Sequence, residues 1–202
     1  MNKLTFNAEK HEYSIDGVVI PGYSRIAKDM GLVDYSNVSP ADLEYKGQVG
    51  SAVHKAIFLH NEDTLDMDSL AEPVTGYFNS WLMFVELYKP TILIQYSENP
   101  ICSFKWRYGV TPDIVAEIKG ILTVLELKCV SAMNAVTALQ TSAQKIALEE
   151  TYNIKIKQRW GLQLKPDCMP ELKCYEKLSD TTAWLSNVNA WYWKKENGLW
   201  KQ

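Results

Sequence analysis

Three charged residues stand in an otherwise apolar stretch of the chain: Asp113, Glu126 and Lys128. The segments on either side of Lys119-Gly120 are rich in β-branched residues, and this dipeptide is a turn signal, so we predict a β-hairpin. Counting outwards from a two-residue turn, or from a symmetric four-residue loop, places Asp113 opposite Glu126. Because side chains alternate along a strand, Glu126 and Lys128 project from the same face. The three charged groups are therefore predicted to meet at one patch.

Such a patch suits a metal-assisted reaction. Two carboxylates directly opposite each other on paired strands repel, and carboxylates in a partly buried site also lose solvation. A divalent cation between Asp113 and Glu126 would offset both penalties, and oxygen ligands suit Mg²⁺ or Mn²⁺. Lys128 would then lie beside the attacking water or a substrate phosphate. The pattern indicates metal-assisted hydrolysis of a phosphodiester.

A second interpretation of these residues involves no chemistry. Asp113 follows Pro112 and is also typical of a turn, while Glu126 and Lys128 also suit the solvent face of a half-exposed strand. A register shift of one residue would send Asp113 to the other face of the sheet. Taken alone, the three residues leave both interpretations open.

The motifs around these residues resemble a known family. Pro112-Asp113 and Glu126-Leu127-Lys128 resemble the signature of the PD-(D/E)XK nucleases. Their surroundings resemble the RecB-like exonuclease branch, which is common in phages and prophages. The motifs of that branch occur here in the expected order, across roughly residues 10–195: Gly47 to His54, Glu98-Asn99-Pro100, Gly109 to Asp113, Glu126 to Lys128, and Gln140.

The resemblance implies a fold and an activity. The fold is α/β with a restriction-endonuclease-like core: a central mixed β-sheet of four or five strands built on residues 91–130, with helices on both faces. The activity is that of a Mg²⁺- or Mn²⁺-dependent deoxyribonuclease, an exonuclease acting on linear, double-stranded DNA in phage recombination or DNA processing. A single-strand annealing protein is the expected partner, and a homo-oligomer is left open.

The resemblance also assigns roles to residues. The metal ligands are His54, Asp113, Glu126 and the backbone carbonyl of Leu127, and Glu98 is a secondary candidate. Lys128 orients or deprotonates the attacking water, and Gln140 positions the scissile strand. Taken alone, a single histidine on a helix is more typical of a packed core residue than of a ligand, and the resemblance reverses this preference for His54. Gln144 stands where the family has a tyrosine, and this departure leaves one contact with DNA unassigned. The predicted DNA contacts are Arg25, Lys105, Arg107 and Gln144, although the three cations also suit an ordinary exposed surface.

Four further segments must position these residues. Ser39 caps a predicted helix that carries His54, and the small residues Gly47 and Gly50 are expected to let it approach a neighbour closely. Ser24 is expected to cap the helix that carries Arg25. The alternation of aromatic and basic residues over 104–108 predicts a strand. Residues 131–150 form a predicted helix that places Gln140 and Gln144 one turn apart.

Composition limits the class of protein. The 202 residues are 47% hydrophobic and 22% charged, which is ordinary for a soluble globular chain. We find neither a linker nor an internal repeat and predict one nuclease domain over residues 1–202. The sequence has no 18-residue apolar run and no signal-peptide pattern, so we expect no membrane association and a location in the cytoplasm, which the resemblance to phage and prophage proteins implies is that of a bacterial host cell. A net charge of −3 is unlike that of a strongly basic nucleic-acid binder, although a local basic surface would suffice for a nuclease.

The four cysteines raise the question of an iron–sulfur cluster. They are Cys102, Cys129, Cys168 and Cys174, and none forms a C-x-x-C pair. Some relatives hold a cluster with one cysteine before the nuclease core and three after it. The distribution here differs, so we expect reduced thiols and no cluster.

Two other functions remain open on the sequence. One is a sequence-specific or structure-specific endonuclease with the same centre. The other is a non-catalytic DNA-binding or scaffold protein that keeps the fold. The filled positions at Asp113, Glu126 and Lys128 favour an enzyme, whereas Gln144 and the acidic net charge keep the non-catalytic interpretation open.

Overall fold

A computed structural model describes residues 3–167 and 169–199. The strands and helices are, in chain order, β1 (Leu4–Asn7), β2 (Glu12–Ile15), β3 (Val18–Ile20), α1 (Tyr23–Asp29), α2 (Pro40–Asn61), α3 (Glu72–Tyr88), β4 (Thr91–Ile92), β5 (Ile101–Ser103), β6 (Tyr108–Val110), β7 (Ile114–Ile118), β8 (Ile121–Lys128), α4 (Val136–Tyr152), β9 (Gln158–Gln163), β10 (Glu171–Cys174) and α5 (Leu178–Glu196). None of the helices in these two ranges is both long and apolar enough to cross a membrane.

The central sheet is mixed and has helices on both faces. Its strand order is β10-β9-β8-β7-β4, in which β8 and β9 are parallel and the other neighbours are antiparallel. Helices α2 and α3 pack on one face, and α1, α4 and α5 pack on the other. The predicted α/β class, with a central mixed sheet between helices on both faces, is confirmed, and the restriction-endonuclease-like core stays a prediction. The predicted limits of the sheet are wrong, because β9 and β10 belong to it whereas β5 and β6 form a separate two-stranded sheet.

The predicted hairpin forms with a two-residue turn. Ile118 pairs with Ile121, and Lys119 and Gly120 between them have φ values of 53° and 75°. Two consecutive positive φ angles match the twist of the flanking strands in a tight hairpin. The pairing continues outwards to Ile114 and Leu125, so Asp113 lies one step beyond, level with Glu126. The predicted register is confirmed.

The alternation of buried residues along β8 decides which face each side chain reaches. Leu125 and Leu127 pack in the core beneath α2 and α3, whereas Val124 packs in the core beneath α4 and α5. Since side chains alternate, Glu126 and Lys128 share the face of Val124. That face is covered by α4, the helix that carries Gln140 and Gln144.

The predicted strand over 104–108 is wrong. Residues 104–107 form the turn between β5 and β6, closed by a hydrogen bond of 2.8 Å from the Arg107 amide to the Ser103 carbonyl. Trp106 packs against the core, whereas Lys105 and Arg107 are exposed. The alternation of aromatic and basic residues therefore arises from a turn with one anchored side chain.

The helix starts are partly as predicted. Ser39 caps α2, because its hydroxyl accepts a hydrogen bond of 3.1 Å from the Asp42 amide. Ser24 does not cap α1, which begins at Tyr23 after Gly22 without a side-chain cap. Helix α4 begins at Val136, five residues later than residue 131. The expected close approach at Gly47 and Gly50 is also wrong, because a Cβ at either position would meet open space.

The small sheet β1–β3 is held against β6 by one tyrosine. The Tyr13 ring covers Gly109 so closely that a Cβ there would overlap the ring. The Tyr13 hydroxyl lies 2.8 Å from the Thr111 hydroxyl, and the Gly109 amide donates to the Pro21 carbonyl at 2.9 Å. These contacts fix the N-terminal sheet beside the end of the β7–β8 hairpin.

We predict that Gly109→Ala destabilises the protein by roughly 1–3 kcal/mol, because the new methyl group forces the Tyr13 ring out of a well-packed position. Gly47→Ala is the matched control and is expected to stabilise α2 by about 0.5–1 kcal/mol. Denaturant unfolding of the two variants measures both changes. Equal stability of Gly109→Ala and the unaltered protein would contradict this packing.

Candidate active site

Asp113 lies at the start of β7 and is almost fully buried. Its Oδ2 accepts a hydrogen bond of 2.7 Å from the Leu127 amide on the paired strand, and its Oδ1 lies 3.4 Å from Nδ1 of His54. Burial alone would raise the pKa of Asp113, but the charge and hydrogen bond of His54, with Lys128 and the Leu127 amide, lower it below its usual value. Asp113 is therefore held as a carboxylate.

Glu126 is only 1% exposed, and polar side chains hold both of its oxygens. Lys128 Nζ donates to Oε1 at 2.6 Å, and Gln144 Nε2 donates to Oε2 at 2.5 Å. Burial and the negative charge of Asp113 outweigh Lys128 and raise the pKa of Glu126 to about 7. The two carboxylates thus lie at the predicted patch. Their burial and repulsion carry the predicted electrostatic cost, which appears as the raised pKa of Glu126.

Helix α4 supplies the two amides beside this pair. Gln140 Oε1 accepts a hydrogen bond of 3.1 Å from Lys128 Nζ, and Gln144 lies one turn further along the helix. Gln144 is fully buried. The Gln144 side chain contacts Glu126 and has no exposed surface that could contact DNA. The predicted contact of Gln144 with DNA is therefore wrong.

Two further ligand groups, His54 and Glu98, converge on Asp113. Atoms of His54, Glu98 and Asp113 all lie within 4.8 Å of one another. Glu98 adopts a left-handed φ of 50°, and its amide donates to the Pro112 carbonyl at 2.7 Å, which holds it beside the start of β7. Burial and the charge of Asp113 raise the pKa of Glu98 to about 7. Glu98, a secondary candidate from sequence, therefore stands within the cluster.

The donor set fits a divalent cation. The clustered carboxylates of Glu98 and Asp113 and the imidazole of His54 are ligands that Mn²⁺ binds, and the carboxylates suit Mg²⁺. The pKa values of Glu98 and Glu126 are raised by burial and by the nearby negative charge of Asp113. A bound cation would reduce this repulsion. Burial would lower the pKa of His54, but Asp113 and the other carboxylates raise it to about 9, so a metal must displace a proton to bind this imidazole. The Leu127 amide bonds to Asp113, and a role for the Leu127 carbonyl stays a prediction.

The cluster opens into a cleft of about 640 Å³. Its lining includes His54, Glu98 and Gln140, together with the buried carboxylates of Asp113 and Glu126. The N-terminal sheet forms another part of its wall through Phe6 and His11, neither of which is a predicted site residue. No short sequence motif indicates that the N-terminal sheet reaches the cleft. Tyr13 and Thr111, whose hydroxyl groups join the sheet to the cleft, are about a hundred positions apart.

The three predicted cationic DNA contacts lie away from the carboxylates. Arg25 is exposed and pairs with Asp29 at 2.6 Å. Lys105 and Arg107 are exposed in the β5–β6 turn, where Lys105 lies over the Trp106 ring and the Arg107 carbonyl accepts a hydrogen bond from Tyr192. None of the three lines the carboxylate cleft. Contacts of these residues with DNA stay predictions.

The cysteines within the described ranges are free thiols. Cys102 is buried, Cys129 is half-buried and Cys174 is exposed. Cys168 lies outside the described residues. The expectation of no iron–sulfur cluster stays a prediction.

No family model and no curated protein matches this sequence. Among solved structures, the fold is similar to that of a candidate exonuclease from Eubacterium rectale, with a TM-score of 0.45, 9% identity, and coverage of 74% of this chain and 68% of that chain. It is also similar to that of an alkaline exonuclease from Laribacter hongkongensis, with a TM-score of 0.41, 10% identity, and coverage of 87% and 91%. At these TM-scores and identities neither likeness determines the activity, which must be inferred from the site.

We predict that Mn²⁺ raises the melting temperature, by roughly 5–10 °C at about a 100-fold excess over its dissociation constant. The shift should grow from pH 6 to pH 9. At the lower pH, protons occupy Glu98 and Glu126, whose pKa values are about 7, and His54, whose pKa is about 9; rising pH frees these ligands for the metal. Differential scanning fluorimetry across this range measures the effect.

Asp113→Asn should remove most of this shift, because it withdraws the carboxylate shared by the cluster. Glu117→Gln, at an exposed position on the same strand β7, is the matched control and should keep it. A shift that is equal at pH 6 and pH 9, or that survives in Asp113→Asn, would show that the cation binds elsewhere.

Proposed function

We propose that the protein is a divalent-metal-dependent deoxyribonuclease of the PD-(D/E)XK class, in its RecB-like branch, and that it degrades linear DNA from an end. The observation that carries this proposal is the buried pair Asp113 and Glu126 with Lys128 held on Glu126 at 2.6 Å. These are the residues that match the signature, and the hairpin pairing sets Asp113 level with Glu126. Burial of Glu126 beside Asp113 raises the pKa of Glu126, which is an electrostatic cost. A purely structural role does not explain why the protein bears this cost.

His54, Asp113 and Glu126 would hold the cation, with Glu98 and the Leu127 carbonyl as further ligands. When bound, it would supply positive charge to the scissile phosphate and increase the acidity of the attacking water. Each oxygen of Glu126 accepts one hydrogen bond from the protein, and a carboxylate oxygen has two lone pairs. Glu126 can therefore keep Lys128 and Gln144 as partners while it binds a metal.

Lys128 is placed to act on the phosphate and the water. Its Nζ is fixed between Glu126 and Gln140, at 2.6 Å and 3.1 Å. Burial would lower its pKa, but Glu126 and Asp113 raise it above the usual value. The ammonium form suits the orientation of water and the stabilisation of charge on the phosphorane-like transition state, more than removal of a proton.

The two glutamines act as positioning residues. Gln140 holds the Lys128 ammonium group, and it also lines the cleft, where it can contact the scissile strand. Gln144 holds the second oxygen of Glu126 and is also 3.4 Å from the Thr111 carbonyl. Gln144 therefore orients a catalytic carboxylate, which is the role we assign to it in place of a DNA contact.

The biological setting of the proposal rests on the resemblance in sequence. It comprises linear double-stranded DNA as substrate, Mg²⁺ or Mn²⁺ as cofactor, and a role in phage recombination or DNA processing in the cytoplasm of a bacterial host. It also includes a single-strand annealing protein as partner and leaves a homo-oligomer open. Contacts of Arg25, Lys105 and Arg107 with DNA belong to the same proposal.

An endonuclease with the same centre is the second candidate. Another cavity, of about 580 Å³, adjoins the cleft, and Tyr23, Ser24 and Gln140 line both. A strand could therefore pass the carboxylates on both sides without a free end. Cleavage of a covalently closed circle separates this candidate from an exonuclease.

We predict that the protein degrades end-labelled linear DNA with Mg²⁺ or Mn²⁺, but not with EDTA, and that it spares a closed circle. Lys128→Ala should slow cleavage by roughly 100- to 1,000-fold, because the transition state loses a positioned cation. Lys155→Ala, at an exposed lysine before β9, is the matched control and should cleave at the rate of the unaltered protein. Gel analysis of labelled fragments gives the rates and the polarity.

Two results would contradict the proposal. One is full activity of Lys128→Ala. The other is absence of cleavage with both metals in protein shown to be folded, which would favour a non-catalytic DNA-binding role. Cleavage of the circle would replace the exonuclease with the endonuclease.

A further inference from the structure

The carboxylate cleft adjoins a second cavity, and we call the two together the groove. The first contains Asp113 and Glu126, and the second contains Lys128. Tyr23, Ser24 and Gln140 line both. A nucleic acid strand whose scissile phosphate reaches the carboxylates could therefore extend along the first cavity in one direction and into the second cavity in the other.

On the first side, an aromatic cluster forms the outer wall. The ring centroids of Phe6 and His11 are 5.3 Å apart, and each ring also contacts Tyr13, at 4.8 Å and 5.7 Å. Tyr13 is fixed on Gly109 and Thr111, so this wall does not depend on a free loop. His11 is exposed in the turn between β1 and β2, which leaves ring surface open towards the cleft.

On the second side, Tyr35 provides an exposed ring. It lies in the segment between α1 and α2 and is 55% exposed, although it lines the cavity that holds Lys128. Lys28 lines the same cavity and is also exposed. A flat aromatic ring beside two ammonium groups suits a nucleotide, with the base on the ring and the phosphate near the cations.

The charge of the groove favours unpaired bases over an intact duplex. Within the described chain, the first cavity is lined by three carboxylates and by no lysine or arginine. His54 and the proposed cation would act on the scissile phosphate, but the flanking phosphates on this side meet no lysine or arginine, so the phosphate neutralisation that dominates duplex binding is weak there. Asp113 and Glu126 are 8% and 1% exposed, so the scissile phosphate must enter the groove to reach them. Stacking on aromatic rings would compensate for the scarcity of cations.

We propose that the groove binds an unpaired DNA strand, with one base stacked on Tyr35 and another on the Phe6–His11 wall, on opposite sides of the scissile phosphate. This deepens the proposed function and rests on it, because the scissile phosphate defines the two sides. Tyr35 and His11 are then the residues that select single-stranded nucleotides. Double-stranded DNA would have to separate at its end before it enters.

Binding without cleavage tests the proposal. Fluorescence anisotropy with a labelled oligodeoxythymidylate, in Ca²⁺ and with the oligonucleotide shown to stay intact, gives the dissociation constant. Tyr35→Ala and His11→Ala should each raise it by roughly 5- to 100-fold, the usual effect of losing one stacked base. Tyr35→Phe should bind like the unaltered protein. Tyr45→Ala is the matched control, because Tyr45 is 57% exposed on α2 and should contribute nothing.

A scan with single abasic sites distinguishes stacking from a structural effect. Removal of the base that stacks on Tyr35 should weaken binding to the unaltered protein but not to Tyr35→Ala, because the partner ring is already gone. His11→Ala should show the same insensitivity at a different position. Equal sensitivity at every position, or equally tight binding of a blunt duplex, would overturn the proposal.

The failure of this inference is distinguishable from that of the proposed function. A flat abasic scan, together with cleavage that Lys128→Ala abolishes, would reject the stacking residues alone. Position-specific stacking in a folded protein that cleaves nothing would support the groove as a single-strand binding site and reject the nuclease.

Discussion

The site depends on the pairing register of one hairpin. A two-residue turn at Lys119-Gly120 sets Asp113 level with Glu126, and the alternation of β8 then brings Lys128 to the same face. The two buried carboxylates repel each other, and the surrounding side chains partly offset that repulsion. His54 approaches Asp113 from helix α2, while Lys128 and Gln144 hold Glu126. A cation at the cluster would complete this compensation.

The rest of the fold holds that hairpin and closes a groove around it. The parallel pairing of β8 with β9 requires a crossover, and the crossover is α4, which delivers Gln140 and Gln144 to the buried face. The N-terminal sheet contributes another part of the wall of the groove, fixed by the Tyr13 ring on Gly109. The proposed catalytic centre and the surface that would select its substrate therefore come from segments far apart in the chain.

Local patterns predicted the parts of the site that local rules govern. The hairpin, its register and the Ser39 cap follow from turn chemistry and alternation, and the resemblance added His54, Glu98 and Gln140. Local sequence patterns gave wrong predictions where tertiary contacts determine the conformation or burial of a residue. Trp106 is anchored in a turn that was predicted as a strand, and Gln144 is buried on Glu126 although a DNA contact was expected. No sequence pattern indicated that Phe6, His11 and Tyr35 line the groove, because a groove formed by distant segments produces no regular residue spacing in the sequence.

The most direct test of a metal-binding carboxylate centre is an anomalous difference map from a crystal of this protein soaked in Mn²⁺ above pH 8. Our interpretation predicts a strong peak among His54, Asp113 and Glu126. A map without a peak there, with His54 still paired to Asp113 and Lys128 to Glu126, would contradict it, because the charges would then be balanced by the protein alone.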